Sequence, residues 1–412
     1  MNDKNIPKLR FPQFTDEWEQ HKFDDLADYK KGPFGSALRK DLFVPKDEKV
    51  VKVYEQQNAI NKDWTLERYF ITKEYANKLS SFSVKGGDII VSCAGTIGEI
   101  YEIPMDAEPG IINQALMRIL VNEQIVNKKM FITLFANMID DFTQVHSNGS
   151  AIKNIPPFSD LKPMSVLLPS MQEQEKITSF FSSISNLIAL HQQKCRNLKE
   201  LRDGVIQRIL SRELRFKRTD GSEFENWVTK ELSEIFTERK VSQTITEDAP
   251  LLSFTIEQGV INPQDKKTNK RDFLIKDKDT KKFALTEVDD IIYNPANLKY
   301  GAIHRNKLMR GVVSPIYAIF YTEQNPAFME YVVKNPTFIK NSLKYLEGTV
   351  IKLMTLKPKD FLKLKVEIPA SLEEQKIIAD FLMQFDETIG AEQRRIEKWK
   401  ELKKGLIQQM FI

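Results

Sequence analysis

Two stretches of the chain, residues 170–210 and 371–411, repeat apolar residues with a period of seven and run about 40 residues without proline. The repeating positions are Ile177, Ile184, His191, Leu198 and Val205 in the first stretch and Ile378, Phe385, Glu392, Trp399 and Leu406 in the second. Ser170 with Glu173, and Ser371 with Glu374, are capping boxes that mark helix starts. The pattern predicts two long helices that pair as a coiled coil.

These two stretches are copies of each other. A shift of 201 positions aligns them without a gap and matches Glu173-Gln174 with Glu374-Gln375 and Gly204 with Gly405. The residues before each stretch match far less closely. We therefore predict two equivalent halves, each a divergent domain followed by a closely repeated helix. The predicted boundaries are 1–169 and 212–369 for the domains and 170–211 and 370–412 for the helices.

The connection between the helices favours antiparallel pairing. The second domain follows the C-terminal end of the first helix and precedes the N-terminal end of the second, so parallel helices would require it to bridge about 60 Å. Antiparallel pairing predicts pseudo-two-fold symmetry with one domain at each end of the coil. It brings His191 towards Glu392, either as a pair that sets the register or as two solvated side chains. Gly204 and Gly405 indicate close approach of another chain or fraying near the helix ends.

Both domains mix strand patterns with helical patterns. DIIVSCA from Asp88 and DIIYNPA from Asp290 are apolar runs that end in turns, and ALMRIL from Ala115 and IYAIFY from Ile316 are further strand patterns. The segment from Lys128 has a helical pattern. The predicted fold class is α+β, with two α/β-type domains related by pseudo-two-fold symmetry and separated by two long antiparallel coiled-coil helices.

The composition indicates the class of protein and the cellular compartment. The 412 residues are 41% hydrophobic and 29% charged, and no apolar run is long enough for a membrane helix. The N-terminus lacks the apolar stretch of a signal peptide, and two cysteines fit a reducing compartment. We expect a cytoplasmic protein without a membrane partner. The net charge of +4 leaves a nucleic-acid partner to be judged from local charge.

Few residues suggest catalysis. The four histidines have no metal-ligand spacing with each other or with the cysteines, and the P-loop, GxSxG and GxGxxG motifs are absent from the sequence. Asn294-Pro295-Ala296-Asn297 is similar to the Asn-Pro-Pro-aromatic signature of adenine amino-methyltransferases, but Asn297 stands where that signature has its base-stacking aromatic. A proline turn is the favoured interpretation, and a stand-alone adenine methyltransferase stays as an alternative.

Basic loops occur in both halves. They are KKGPFGSALRK at 30–40, QDKKTNKR at 264–271 and NLKYGAIHRNK at 297–307. Arg, Lys, Asn and Gln side chains are the donors that hold phosphates and read base edges. A single basic loop is usually solvated surface, but such loops in both halves of a duplicated chain favour DNA binding.

Taken together, these motifs resemble the specificity (S) subunit of Type I restriction–modification systems. The resemblance covers essentially the whole chain and rests on LPSMQEQEKI with its copy ASLEEQKII, and on GPFGSAL, GDIIVSCAGTIG, DDIIYNPANLKYGAI and GVVSPIY. It implies two target-recognition domains that each read one half of a bipartite, asymmetric DNA sequence. It also implies helices that dock two methyltransferase (M) subunits, which two restriction/translocase (R) subunits can join.

The resemblance implies that this chain is not an enzyme and binds no cofactor itself. S-adenosylmethionine, ATP and Mg²⁺ are expected on the partner subunits. A coiled-coil adaptor without DNA specificity is the second alternative.

The residues expected to contact DNA lie in the basic loops, in the GTIG turn and in two short segments near the domain ends. They are Lys30, Lys31, Ser36, Arg39, Lys40, Thr96, Lys153, Lys267, Lys270, Arg271, Asn297, Lys299, Tyr300, His304 and Lys352. The residues expected to contact partner subunits or the other helix are Glu173, Gln174, His191, Gly204, Glu374, Gln375, Glu392 and Gly405.

Overall fold

The computed structural model describes residues 5–146, 157–265, 281–345 and 355–411. The chain forms two compact units. Unit 1 is Met1–Leu190 together with Ile396–Ile412, and unit 2 is His191–Arg395. None of the helices in the described ranges contains a stretch that is long and apolar enough to span a bilayer. The predicted domain boundaries stay a prediction, because each compact unit also includes part of both long helices.

Strands and helices alternate irregularly along the chain. The strands are β1 (Glu19–Lys22), β2 (Ala27–Lys31), β3 (Val50–Tyr54), β4 (Tyr69–Thr72), β5 (Ser83–Val84), β6 (Ile89–Ser92), β7 (Ile100–Glu102), β8 (Gly110–Ile112), β9 (Leu116–Val121), β10 (Ser165–Leu168), β11 (Val228–Glu231), β12 (Phe236–Glu238), β13 (Ser242–Gln243), β14 (Ser253–Thr255), β15 (Gly259–Ile261), β16 (Phe283–Thr286), β17 (Ile291–Tyr293), β18 (Ile303–Arg305), β19 (Gly311–Val313), β20 (Ala318–Thr322) and β21 (Lys365–Ile368). The helices are α1 (Phe23–Leu26), α2 (Gln56–Asn61), α3 (Lys73–Lys78), α4 (Lys128–His146), α5 (Phe158–Leu161), α6 (Met171–Leu210), α7 (Pro326–Lys334), α8 (Pro336–Ser342), α9 (Pro358–Phe361) and α10 (Leu372–Met410).

The two units share a sheet plan. Unit 1 has a pair β1-β10, a four-stranded sheet β2-β9-β6-β7 and a second sheet β4-β3-β8-β5. Unit 2 has the corresponding pair β11-β21 and the corresponding sheet β12-β20-β17-β18, but its remaining strands form the smaller sheets β13-β16-β19 and β14-β15. The α+β fold class is confirmed, and the units diverge in the sheets that lie outside the shared plan.

Each unit buries one large apolar core against the long helices. In unit 1, Phe131 and Phe135 of α4 pack with Ile177 and Phe181 of α6. In unit 2, Phe328 of α7 belongs to a core that includes residues of both long helices: Ile209, Ile378 and Leu382. The apolar columns of the long helices therefore stabilise the domains as well as the coil.

The long helices are antiparallel within each unit. In unit 1, Lys403 Nζ lies 2.9 Å from Ser185 Oγ, and the rings of Phe181 and Phe411 are 6.0 Å apart. In unit 2, Arg202 Nη1 donates to Asp386 Oδ1 at 2.7 Å, while Ile209 is buried beside Ile378. In both units the residue numbers rise along one helix as they fall along the other, which confirms the predicted direction.

His191 and Glu392 form the polar pair that was one of the two predicted alternatives. Glu392 is buried, and one carboxylate oxygen lies 2.8 Å from His191 Nδ1. The other oxygen accepts from Lys194 Nζ at 2.7 Å and from Arg395 Nη1 at 3.1 Å. The hydrogen bonds from Lys194 and His191 lower the pKa of this carboxyl group. A shifted pairing of the helices would leave this buried carboxylate without its donors, so the carboxylate disfavours any other register.

The repeated Glu-Gln dipeptide joins α6 to the domain of unit 1. Arg10 donates from Nε and Nη2 to the two carboxylate oxygens of Glu173, both at 2.7 Å. Gln174 accepts from the backbone N–H of Asn127 at 2.7 Å and donates to the carbonyls of Ile125 and Pro169. Both side chains are buried, so all of these contacts are internal to the unit.

Unit 2 repeats this junction at the start of α10. Arg215 Nη2 and Trp227 Nε1 both donate to Glu374, each at 3.2 Å. Gln375 accepts from the backbone N–H of Asn325 at 3.0 Å and donates to the carbonyl of Pro369 at 2.9 Å. Contact of these Glu and Gln residues with a partner subunit stays a prediction, whereas their contacts with the domain account for their repetition.

Gly204 and Gly405 leave open space beside the helix, as far as the described residues show. A Cβ atom at either position would have no neighbour within 4 Å apart from the local helix backbone. Close approach of the two helices is therefore not the reason for these glycines, and a contact with another chain stays a prediction.

We expect Glu374→Ala to destabilise the protein by about 3–5 kcal/mol, since Arg215 and the indole N–H of Trp227 would lose a buried acceptor. Glu373→Ala is the matched control, because that neighbouring carboxylate is exposed and should change the free energy of unfolding by less than about 0.5 kcal/mol. Urea denaturation of both variants tests this. Equal stability of the two variants would contradict the assigned role of Glu374.

Candidate nucleic-acid interface

Four strands of unit 1 end at the same edge of its sheets. Lys31 at the end of β2 pairs with Met117, and Ser92 at the end of β6 pairs with Leu116, so both strands end beside the start of β9. The parallel strands β3 and β8 end together, with Tyr54 opposite Ile112. The loops that follow are residues 32–38, 55–57, 93–98 and 113–115, and we call them edge 1.

Edge 1 is held together by close backbone contacts. Gly32 donates its N–H to the carbonyl of Leu116 at 2.8 Å, and a Cβ on Gly32 would lie 1.8 Å from the carbonyl oxygen of Asn113. Only glycine fits there. Gly95, at φ +68°, has the side-chain nitrogen of Gln56 3.3 Å from the position of a Cβ. The four loops therefore form one continuous surface.

Several exposed or half-buried side chains on edge 1 carry hydroxyl or amide groups. Ser36, Thr96 and Gln114 are exposed, and Gln56 and Asn113 are half-buried beside them. Lys30 and Lys31 at the end of β2 precede the tip of the loop that follows, and Arg39 and Lys40 come after the tip. Arg39 pairs with Asp41 at 3.2 Å. Phe34 is the large apolar residue that this edge exposes, at 88%. Amide and hydroxyl groups next to cations are the combination that reads bases while holding phosphates.

Unit 2 has an edge built in the same way. β12 and β17 both end beside the start of β20, where Glu238 pairs with Phe320 and Tyr293 pairs with Ala318. The loops there are 239–241, 256–258, 294–302 and 314–317, and we call them edge 2. The rings of Phe254 and Tyr317 lie 4.9 Å apart, which ties the β14-β15 hairpin to this edge.

Edge 2 differs from edge 1 in its exposed side chains. Tyr300 and Ile316 are exposed, and Lys299 Nζ lies 5.0 Å from the centre of the Tyr300 ring. Lys240 is exposed on the neighbouring loop. The corresponding strand ends of the shared sheet thus carry different chemistry in the two units.

His304 lies inside unit 2 and braces the β17-β18 hairpin. Its Nε2 is 2.7 Å from the carbonyl oxygen of Ile256, so Nε2 carries the proton and Nδ1 accepts from Lys334 Nζ at 3.1 Å. Burial, reinforced by the charge of Lys334, lowers its pKa to about 4. The sequence places His304 among the DNA contacts, but its buried position favours a bracing role.

Glu330 anchors the cations around His304. Its buried carboxylate lies 2.9 Å from Lys307 Nζ and 3.5 Å from Arg305 Nε. Burial opposes ionisation, but the charges of Lys307 and Lys334 prevail and lower the pKa of Glu330. The network joins α7 to the loop between β18 and β19 and so holds the hairpin behind edge 2.

The Asn294-Pro295-Ala296-Asn297 segment forms a turn. The side-chain oxygen of Asn294 accepts the N–H of Ala296 at 3.0 Å, and its backbone N–H donates to Ala302 at 2.9 Å. The carbonyl of Pro295 accepts from Leu356 at 3.0 Å. Asn294 is therefore used inside its own loop, as the proline-turn interpretation predicts. Among the residues that the structure describes, no group of three or more His, Cys, Asp or Glu could hold a metal ion.

A family model described as Type I restriction modification DNA specificity domain matches residues 15–200 and 315–401, about two thirds of the chain. The chain belongs to this family of Type I specificity subunits. The resemblance that the sequence motifs indicate is thereby confirmed, and recognition of DNA sequence is the function common to the family.

Two archaeal relatives agree with this assignment. The putative type I restriction enzyme MjaX specificity subunit of Methanocaldococcus jannaschii is 21% identical over 98% of this chain and 95% of its own length. The MjaVIII specificity subunit of the same organism is 22% identical over 52% of this chain and 50% of its own length.

Solved structures share the fold. The S subunit of a Type I restriction–modification system from M. genitalium aligns over 99% of both chains with a TM-score of 0.54 and 16% identity. A chain from a structure that describes complex assembly and conformational transition of the type I R-M system aligns over 95% of this chain and 97% of its own length, with a TM-score of 0.55 and 12% identity.

The two edges contain half of the described residues that the sequence predicts to contact DNA in this specificity subunit, and all but one of the others flank edge 1. At or directly before edge 1 are Lys30, Lys31, Ser36 and Thr96, with Arg39 and Lys40 just after its first loop; on edge 2 are Asn297, Lys299 and Tyr300. Lys153, Lys267, Lys270, Arg271 and Lys352 lie outside the described residues. DNA contact by these residues stays a prediction.

Sequence reasoning missed the amide side chains of edge 1. Gln56 begins α2, and Asn113 and Gln114 form the turn between β8 and β9. Only the parallel pairing of β3 with β8 brings these positions together. The local signal that could have found them is a polar residue directly after an apolar strand, the position where recognition residues commonly lie on loops.

The low pKa of His304 predicts a pH-dependent stability. The unfolded chain takes up a proton at His304 below about pH 6.5, whereas the folded chain does so only near pH 4. The stabilisation of the folded chain by neutral His304 is complete above pH 6.5 and is lost as the pH falls towards 4. At pH 4.5 the free energy of unfolding is lower by about 2–3 kcal/mol for this reason. His304→Gln should reduce the loss in unfolding free energy between pH 7 and pH 4.5. An identical loss in the wild type and the variant would contradict this.

Proposed function

We propose that this specificity subunit reads a bipartite, asymmetric DNA target, with edge 1 recognising one half-site and edge 2 the other. The observation that carries the proposal is that corresponding strand ends of the shared sheet, β2 and β6 in unit 1 and β12 and β17 in unit 2, contribute to both edges while the exposed side chains differ. These side chains are Phe34, Ser36, Thr96 and Gln114 on edge 1 and Tyr300 and Ile316 on edge 2. Equivalent scaffolds with different reading residues suit two different half-sites.

The partners that we propose are double-stranded DNA, two methyltransferase (M) subunits and two restriction/translocase (R) subunits. The repeated helices provide two equivalent surfaces, which supports two copies of one docking partner. In this arrangement S-adenosylmethionine, ATP and Mg²⁺ belong to the partner subunits, and this chain directs adenine methylation and restriction without catalysing either.

The chain alone should not methylate DNA, and adenine methylation at one bipartite sequence should appear when the M subunit is added. Mapping methylated adenines in a host that expresses both proteins gives that sequence. Asn294→Ala provides the control against the stand-alone methyltransferase alternative. Methyl transfer by the isolated chain that Asn294→Ala abolishes would refute the proposal, and binding without sequence preference would favour the adaptor.

The two kinds of DNA contact should separate by mutation. Lys31→Gln should weaken binding to all sequences and reduce the slope of log affinity against log salt by about one, as the loss of a phosphate contact does. Asn297→Ala should change preference within a single half-site. Lys73→Gln is the matched control, since Lys73 follows β4 beside the start of β3, at the opposite edge from the loops. Binding assays over several salt concentrations measure both effects, and an equal change in both half-sites for Asn297→Ala would contradict this division.

A further inference from the structure

Phe34 is presented to solvent by a loop that is fixed on both sides. Its side chain is 88% exposed, whereas Pro33 before it and Leu38 after it are buried. Gly32 is pressed against the backbone of Asn113, and the hydroxyl of Tyr75 donates to the carbonyl of Ala37 at 2.9 Å. The loop is therefore anchored at both ends, and an exposed phenyl ring at its tip is unfavourable in water.

The charges around Phe34 fit a polyanion. Lys30 and Lys31 precede the tip, and Arg39 and Lys40 follow it. Met105 offers a comparison, since it is 83% exposed in the same unit but is followed by Asp106 and Glu108. Both positions expose a large apolar side chain, and only Phe34 has cations both before and after it in the sequence.

The ring also lies on the surface that offers base-reading groups. Gly32, two residues before it, contacts the turn that carries Asn113 and Gln114. Proteins that deform DNA commonly insert a Phe, Leu, Ile or Met side chain between base pairs while cations hold the flanking phosphates. The loop from β2 combines a fixed apolar tip, flanking cations and neighbouring amides.

We propose that Phe34 is a wedge that enters one base-pair step of the half-site read by edge 1 and unstacks it. This proposal rests on the proposed function. The energy needed to open a step depends on its sequence and is lowest for pyrimidine–purine steps. Phe34 thus adds selectivity for a deformable step at a position where no base edge needs to be read.

The test uses the complete complex with the M subunit and duplexes that carry the mapped target. 2-Aminopurine, which fluoresces more strongly when unstacked, is placed at one position at a time. With wild-type protein, fluorescence should rise at one step other than the methylated adenine, and Phe34→Ala should abolish that rise. Phe34→Ala should also raise Kd by about 5- to 150-fold, as the loss of an aromatic–base stack does. Phe34→Trp should restore both signals.

Met105→Ala is the matched control and should change neither signal. Both positions are exposed, so thermal unfolding should be the same for all variants. If the fluorescence rise in Phe34→Ala equals that of the wild type, the wedge is overturned, whether the affinity for DNA falls or not. If Phe34→Ala lowers the affinity for the M subunit instead, Phe34 is a protein contact and the wedge is likewise overturned. If the wild-type complex binds all DNA sequences equally, the proposed function itself is refuted.

Discussion

A buried carboxylate in the first turn of each long helix is the contact on which both units depend. Glu173 and Glu374 are shielded from solvent, so each carboxylate requires its arginine. In both units that arginine lies more than 150 residues earlier in the sequence. The adjacent glutamine fixes the backbone turn before α4 or α7. Because a buried ion without its partner is strongly destabilising, these two residues fix how each domain meets its helices.

This junction leaves the opposite ends of the strands free to vary. The strands of the shared sheet keep their order in both units, while the loops that follow them differ in length, charge and exposed side chains. Packing constrains the interior of a sheet far more than the loops at its edge. One scaffold can therefore present different chemistry on edge 1 and edge 2 without a change in its core.

The heptad period predicted the long helices because it is a local pattern, and the connection through the second domain predicted their antiparallel direction. The capping boxes marked where the helices begin, but the carboxylates of Glu173 and Glu374 pair with Arg10 and Arg215 and not with the cap residues. The meeting of His191 with Glu392 followed from the internal repeat. The clustering of Gln56 with Asn113 did not, because it depends on the pairing of strands far apart in sequence. The burial of His304 was also beyond sequence reasoning, since it depends on Gly259, which comes from another hairpin and leaves room for the imidazole.

Unit 1 is assembled from two separate parts of the chain, and this has a consequence for how the protein is made. Residues 191–395 form unit 2 as one uninterrupted segment, whereas unit 1 also needs residues 396–411, where the carbonyl of Gln409 accepts from Leu9 and the ring of Phe411 meets Trp18. Domains generally fold as units during synthesis, the N-terminal one first. Here the N-terminal unit cannot be completed first, because its last helical turns are synthesised only after the whole of unit 2.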